Sequence, residues 1–188
     1  FTFDSWIKEL IKRVNFFNSW VRRGRPLLTD LSCFADPVKF LNAFKMNFLK
    51  VNKIAHSDQP SDISFNVTII SESPDQQPES GIYITGMHFQ GAVFNMTEKV
   101  LVEEQFGDDN DYNCPILHII PKISNESDTQ NDENYYNCPV YRIIGDTSEI
   151  NRKQNSTELI TKLPIPSNKT QSFWTIRGTS LLLNNELY

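Results

Sequence analysis

Cys114, His118 and Cys138 are the thiol and imidazole groups that sequence spacing can bring together, and a structural zinc ion is what they would hold. Such a site takes four ligands in close pairs. One ligand is missing and no Cys-x2-Cys occurs, so the thiols read as small apolar side chains at strand starts. Nucleophilic catalysis needs a Ser or Cys beside an oriented base, and none of His56, His88 or His118 lies in a recognisable local arrangement. A hydrolase whose triad is dispersed along the sequence stays open, and activity-based labelling of a Ser or Cys would raise it. The run Gly86-Met-His-Phe-Gln-Gly91 lacks the basic residue and following helix that let backbone amides hold a phosphate, and no Gly-x4-Gly-Lys-Ser/Thr loop occurs. Its glycines read as a bulge or a close-packing point in a strand. The acidic run from Glu103 and Glu104 to Asp108, Asp109, Asn110 and Asp111 lacks EF-hand spacing and its closing Glu, and reads as a solvated turn.

Aromatic residues are the better functional lead, because a domain this small struggles to bury 13 Phe, 6 Tyr and 3 Trp. The elements that must position them are readable. From Asp4, the positions Ile7, Leu10, Ile11, Val14, Phe17 and Val21 recur at helical spacing, with Asp4 or Ser5 as the cap and Gly24 as the stop before Pro26. Trp6, Phe16 and Trp20 fall off this stripe. Either they widen the buried face of the helix or they form a docking surface. Asp36-Pro37 reads as the N-cap and first turn of a second helix, whose stripe is Phe40, Leu41, Phe44, Phe48 and Val51. The two helices are expected to pack through aromatic faces.

After the turn-rich segment 56–62 the apolar period changes to two, with Ile63, Phe65, Val67 and Ile69 on one face of a strand. Further strands are expected over 81–89, 116–120, 139–144, 157–163 and 173–183. The reading is α+β: N-terminal amphipathic helices followed by a five- to six-stranded antiparallel β-barrel or sandwich. The expected division is a helical segment over 1–57 and a β unit over 58–188. Segments 71–80 and 124–134 read as mobile surface loops. The echo between Tyr112-Asn113-Cys114-Pro115-Ile116 and Tyr136-Asn137-Cys138-Pro139-Val140 allows a hairpin with two similar strand starts.

At 188 residues and 39% apolar, the protein can bury about two thirds of its unfolded surface, enough for one sizeable core. A net charge of -5 argues against nucleic acid, whose phosphates need a basic face that here would have to come from Lys12, Arg13, Arg22, Arg23 and Arg25. That cluster ends a helix and suits its dipole. No run of about 20 apolar residues is present to span a bilayer, and the first residues lack a signal-peptide pattern. The absence of an initiator Met leads to the expectation of an excised fragment. Three widely spaced cysteines make no disulfide framework and fit a reducing compartment. Five sequons, at Asn66, Asn95, Asn125, Asn155 and Asn168, point the other way, but Asn and Ser/Thr are so abundant that about three would arise by chance.

Three blocks give a family resemblance: Gly81-x-Tyr83-x-x-Gly86 with Gly91-Ala92, then Cys138-Pro139-Val140-Tyr141, then Trp174-x-x-Arg177-Gly178 with Leu181-Leu182. Earlier, Trp20 followed by Gly24-x-Pro26 and Leu31-Ser32 fits the same pattern, continued by Phe34, Pro37, Phe40 and Leu41. In order and spacing they resemble the C-terminal region of dynein heavy chains, the microtubule motors built on a ring of AAA+ modules. His88, Gln90 and Phe94 depart from the usual apolar, acidic and Trp residues, and the stretch after the Leu-Ser is reduced to Cys33-Phe34-Ala35-Asp36.

The resemblance implies a helical segment and an antiparallel β-barrel lying across the AAA+ ring, tuning force and processive stepping without hydrolysing ATP. It implies no cofactor in this segment, with ATP and magnesium in the parent motor. Partners would be the ring modules of the same heavy chain and, for the parent complex, microtubules and dynein intermediate and light chains, with no nucleic acid and no membrane. Trp6, Arg13, Phe16 and Trp20 are the expected ring contacts. The family's base rate places a ciliary or flagellar axoneme slightly ahead of the cytoplasm. Without the resemblance, the rival is a secreted, glycosylated β-sandwich binding module.

Overall fold

The computed structural model describes residues 3–54, 63–104, 112–123, 134–144 and 156–184. Segments 56–62, 105–111, 124–133 and 145–155 therefore fall outside the description, and with them His56, Asn125, Asn155 and most of the acidic run. Helix α1 spans Phe3–Arg23 and opens with Asp4 paired to Lys8 (2.7 Å). It closes where the Gly24 amide donates to the Trp20 carbonyl (2.9 Å). Helix α2, Pro37–Val51, starts as its sequence dictates: Asp36 accepts from the Lys39 amide (2.9 Å), and Pro37 occupies the first turn, where a missing N–H costs nothing. Between the helices lie strand β1 (Leu28–Asp30) and a 3-10 turn (Leu31–Cys33) capped by Asp30.

The remaining strands are β2 (Ile63–Ile70), β3 (Ile82–Thr85), β4 (Met87–Gln90), β5 (Val93–Asn95), β6 (Val100–Val102), β7 (Ile116–Ile123), β8 (Tyr135–Ile144), β9 (Ser156–Pro166) and β10 (Ser180–Leu183). They form two four-stranded sheets, ordered β1-β3-β7-β2 and β4-β10-β8-β9, and a β5-β6 ribbon. The α+β class holds, but the expected order of helices followed by strands does not: β1 lies between the first two helices, and a third helix, Gln171–Arg177, separates β9 from β10. The sheets are also mixed: β1 runs parallel to β3 and β10 parallel to β8. Neither sheet closes on itself among the described residues. Edge strands β2 and β9 approach each other without sharing a ladder. The expectation of a five- to six-stranded antiparallel barrel or sandwich is therefore corrected: the ten described strands form no closed barrel but two open, mixed sheets over one core, an arrangement compatible with a sandwich.

Other expectations are corrected by local chemistry. The strand expected over 81–89 breaks at Gly86, sending β3 to one sheet and β4 to the other. The strand expected over 173–183 is helix α3 (Gln171–Arg177) followed by β10. Thr170 caps it by accepting from the Phe173 amide, and Gly178 ends it. The echoed Tyr-Asn-Cys-Pro segments make no hairpin, because β7 and β8 belong to different sheets. Loop 71–80, read as mobile, is tied down: the Gln77 side-chain amide donates to the carbonyls of Arg25 (3.1 Å) and Pro26 (2.9 Å) and accepts from the Arg25 guanidinium.

A single apolar cluster joins the sheets. Phe65, Ile84, Leu117 and Ile119 come from one, Phe89, Val140, Leu163 and Leu181 from the other, and Leu31, Leu41 and Trp174 close its ends. Burial alternates along β7 and β8, as the two-residue strand period requires.

Candidate functional site

Helix α1 lies on this body by an unusual face. The residues turned inward are Glu9, which is buried, with half-buried Ser5, Ile7, Lys12, Arg13, Phe16 and Trp20. Phe16 and Trp20 meet Phe34 edge-on at 5.8 and 6.0 Å, Trp20 also meets Phe40, and Phe34 stacks on Phe40 at 4.2 Å. These contacts join α1 to α2 through aromatic rings, as expected, although on α1 the rings are Phe16 and Trp20, which lie off its apolar stripe. The apolar stripe is turned outward instead, with Phe3 75%, Leu10 44%, Ile11 53%, Val14 50%, Phe17 39% and Val21 86% exposed. An amphipathic helix normally buries its apolar stripe, so α1 lies with part of its charge inside and its grease outside.

A polar network fixes this pose. Lys12 Nζ lies 3.0 Å from Asp30 Oδ2 and donates to Ser32 Oγ (2.8 Å). Asp30 Oδ1 accepts from the Ser32 amide (2.9 Å) and hydroxyl (2.6 Å). Burial works against both charges. The hydrogen bonds and attraction between partners outweigh it, holding the Asp30 carboxyl below and the Lys12 ammonium above their ordinary ranges. Burial, reinforced by the Asp30 carboxylate, pushes the neighbouring Cys33 thiol up to about 11. Two polar atoms of the inner face, Glu9 Oε2 and Arg13 Nε, are buried without a hydrogen-bond partner, so this seating leaves their desolvation uncompensated by contacts.

One glycine of the motif makes room for the same network. At Gly86, φ is +85° and a Cβ would stand 1.9 Å from Asp30 Oδ1. At Gly81, φ is +80° and a Cβ would stand 2.3 Å from the Ile119 carbonyl oxygen. Between them Tyr83 pairs in parallel with Leu28 and lies beside the His118 ring. The Gly91 carbonyl accepts from Thr179 Oγ1 (3.2 Å), joining the turn after β4 to the start of β10.

Of the remaining motif residues, Cys138 is fully buried on β8, and Pro139 immediately precedes the two β8 residues that pair with β10. Tyr141 follows it at a register shift against β9. Trp174 is fully buried and donates from Nε1 to Ser167 Oγ (2.7 Å), beside the Tyr136 ring, whose hydroxyl donates to the Thr179 carbonyl. Arg177 reaches Glu103 (3.3 Å) and, with Lys169, flanks the Phe173 ring. Glu103 thus answers two cations. Trp6 is 40% exposed on α1 and stacks on Phe3, while Gly24 and Pro26 form the turn that Gln77 holds.

The candidates for chemistry are placed differently. Among the described residues, no group of three or more His, Cys, Asp or Glu residues converges on one point. Burial drives the Cys114 and Cys138 thiols well above their ordinary range, which makes them poor nucleophiles. His118 Nε2 faces the Ser80 carbonyl (2.7 Å), and His88 Nδ1 faces the Asn184 side-chain oxygen (2.6 Å). An open groove of about 390 Å³ runs past Ile70, Glu72, Phe94, Met96 and Cys114 and is largely apolar. Sequons Asn66 and Asn168 are exposed and Asn95 is half-buried. The polar Lys12–Asp30–Ser32 network has no motif of its own in the sequence; Gly86, the residue that makes room for it, is the signal that could have found it.

Comparison with known proteins gives a consistent result. The family of C-terminal domains of dynein heavy chains matches residues 2–183. The protein is 26% identical over 181 residues to dynein axonemal heavy chain 1 of Rattus norvegicus, covering 95% of this sequence and 4% of that protein. It is 23% identical over 201 residues to dynein axonemal heavy chain 6 of Homo sapiens, again covering 95% of this sequence and 5% of that protein. Against dynein axonemal heavy chain 2 of Mus musculus it is 31% identical over 103 residues, covering 54% of this sequence and 2% of that protein. The 188 residues therefore span a small fraction of the length of these relatives.

Proposed function

Because these residues belong to the family of C-terminal domains of dynein heavy chains, we propose that they are the non-catalytic end of a motor, packed on the AAA+ ring of its own heavy chain and tuning force and processivity. The observation that carries this reading is the outward apolar stripe of α1, from Phe3 to Val21, on a domain whose core is already complete without it. An exposed apolar face of that extent marks an interaction surface, and in a segment that is so small a part of its relatives' length the rest of the heavy chain is the nearest supplier of a partner. The helical segment over 1–57 docks, with Trp6 and the outer stripe foremost, and the β unit over 58–188 holds it in place.

ATP and magnesium act in the parent motor, at ring modules outside this segment, and this segment binds neither. The parent complex acts on microtubules with intermediate and light chains. The axonemal names of the relatives support a place in the cytoskeleton of a cilium or flagellum. The test compares an intact heavy chain with one lacking these 188 residues. ATP turnover should persist in both, while stall force and run length should differ. Unchanged mechanics, or ATP turnover by the isolated domain that one substitution abolishes, would overturn the proposal.

A further inference from the structure

The outward stripe of α1 is a heptad seam. Ile7, Val14 and Val21 recur every seven residues, and Phe3, Leu10 and Phe17 interleave with them at the alternating spacing of a and d positions. Ile7, Val14 and Val21 fall on a, with Leu10 on d between Phe3 and Phe17; β-branched a positions with Leu at d are the pairing found in parallel two-stranded coils, and Leu10 supplies it at the centre of the helix. The body leaves most of this seam uncovered. Its contacts fall mainly on Phe16, Trp20, Lys12 and the buried Glu9, on the other side of the helix; of the seam itself, Ile7 is half-buried and Phe17 meets Phe34 edge-on at 5.5 Å while staying 39% exposed. Five of the six seam side chains are exposed, Val21 to 86%, along a helix of about 31 Å.

We propose that α1 is one strand of a short, left-handed helix pair whose other strand is an amphipathic helix of the AAA+ ring in the same heavy chain. This rests on the ring-docking reading above and names the element that meets the helix. Knobs repeating every 3.5 residues fit the holes of another helix crossing at about 20°, and not the two-residue period of a strand. Charge narrows the partner further. Arg22 and Arg23 are exposed in the last turn, and among the described residues neither has an acidic partner. A parallel second copy would set these arginines against their own counterparts, so the partner helix carries Asp or Glu near that end. Three heptads are marginal between separate molecules, whereas attachment to the same polypeptide supplies an effective concentration of the order of millimolar.

The experiment places a photo-crosslinking residue singly at Leu10, Val14 or Phe17 of a full-length heavy chain, with Asn15 as an exposed position off the seam. The expected captures lie within one segment of the same polypeptide, with targets advancing by three or four residues from one probe to the next, and Asn15 captures little. Val14→Asp should cut capture from Leu10 and Phe17 at least tenfold, and Val14→Ile should preserve it. Captures spread over loops or strands of the ring would overturn the helix pair and leave ring docking standing. Products joining two heavy chains would overturn the intramolecular partner, and the absence of intramolecular capture from every seam probe would overturn the docking reading itself.

Discussion

At the scale of single residues, the family motif is explained by close approaches and buried polar contacts. Gly86→Ala would put a methyl group into the Asp30 carboxylate at a left-handed backbone position, straining both β3–β4 and the anchor of α1. We expect a loss of about 2 kcal/mol or more in unfolding free energy, read by denaturant titration. The Lys12–Asp30 pair sets a pH window. Asp30 is held below its ordinary value, so its stabilisation is complete above the unfolded carboxylate pKa of about 4 and is lost as pH falls through the folded value. Lys12 is held above its ordinary value, so its share is complete below about 10.4 and is lost as pH rises through the folded value. Asp30→Asn should therefore cost most between these limits, about 1 kcal/mol given that the Lys12 side chain is 38% exposed and screened, and less in high salt. A penalty that did not shrink on acidification below about pH 4 would rule out the charge pair as its source. Trp174→Phe keeps most of the apolar volume but leaves Ser167 Oγ without its indole donor, and a loss of about 2 kcal/mol should appear in the same titration.

At the scale of elements, legibility followed how local the deciding interaction is. Helix α2 was readable because Asp36 and Pro37 specify its start by themselves. The break between β3 and β4 left a trace in the sequence: buried Ile82 and Ile84 are followed by buried Met87 and Phe89, so the alternation slips one residue at Gly86. Helix α3 reads as a strand because Phe173, Trp174 and Ile176 favour strands, yet a Thr170 cap and Gly178 stop override propensity in so short a segment. The seating of α1 was the hardest part. Its apolar stripe is genuine, but a moment says which face is greasy and not what covers it, and the inner face was chosen by Phe34, Phe40 and Asp30, which lie on other elements. Phe34 is central to that choice, touching Phe16, Phe17, Trp20 and Phe40. Phe34→Ala should weaken the seating of α1 by about 2 kcal/mol and leave the sheets intact. Trp20 emission would then shift to longer wavelength while that of buried Trp174 stays, and a parallel change at both would mean that α1 and the sheets form one unit.

At the scale of the whole molecule, the distribution of contacts separates a tightly joined body from a lightly joined helix. Leu117 and Ile119 in one sheet and Val140, Leu163 and Leu181 in the other belong to one apolar cluster with Trp174, so the two sheets share their stability although no ladder closes them into a barrel. Helix α1 contributes no residue to that cluster; it is held by half-buried rings and the Lys12–Asp30 pair, and it leaves Glu9 Oε2 and Arg13 Nε without partners. Local stability tracks buried apolar contact, so opening of α1 should require less free energy than opening of the body. Hydrogen exchange on the isolated domain should therefore show the amides of β7 and β8 as one slow class and those of α1 as a faster class. In the intact heavy chain, where the ring covers the outer stripe, the α1 amides should slow by at least tenfold while those of β7 and β8 change little. Equal protection of α1 in the two settings would mean that the domain alone holds its first helix as firmly as the motor does, and the exposed stripe would then have no part in joining this domain to the rest of the motor.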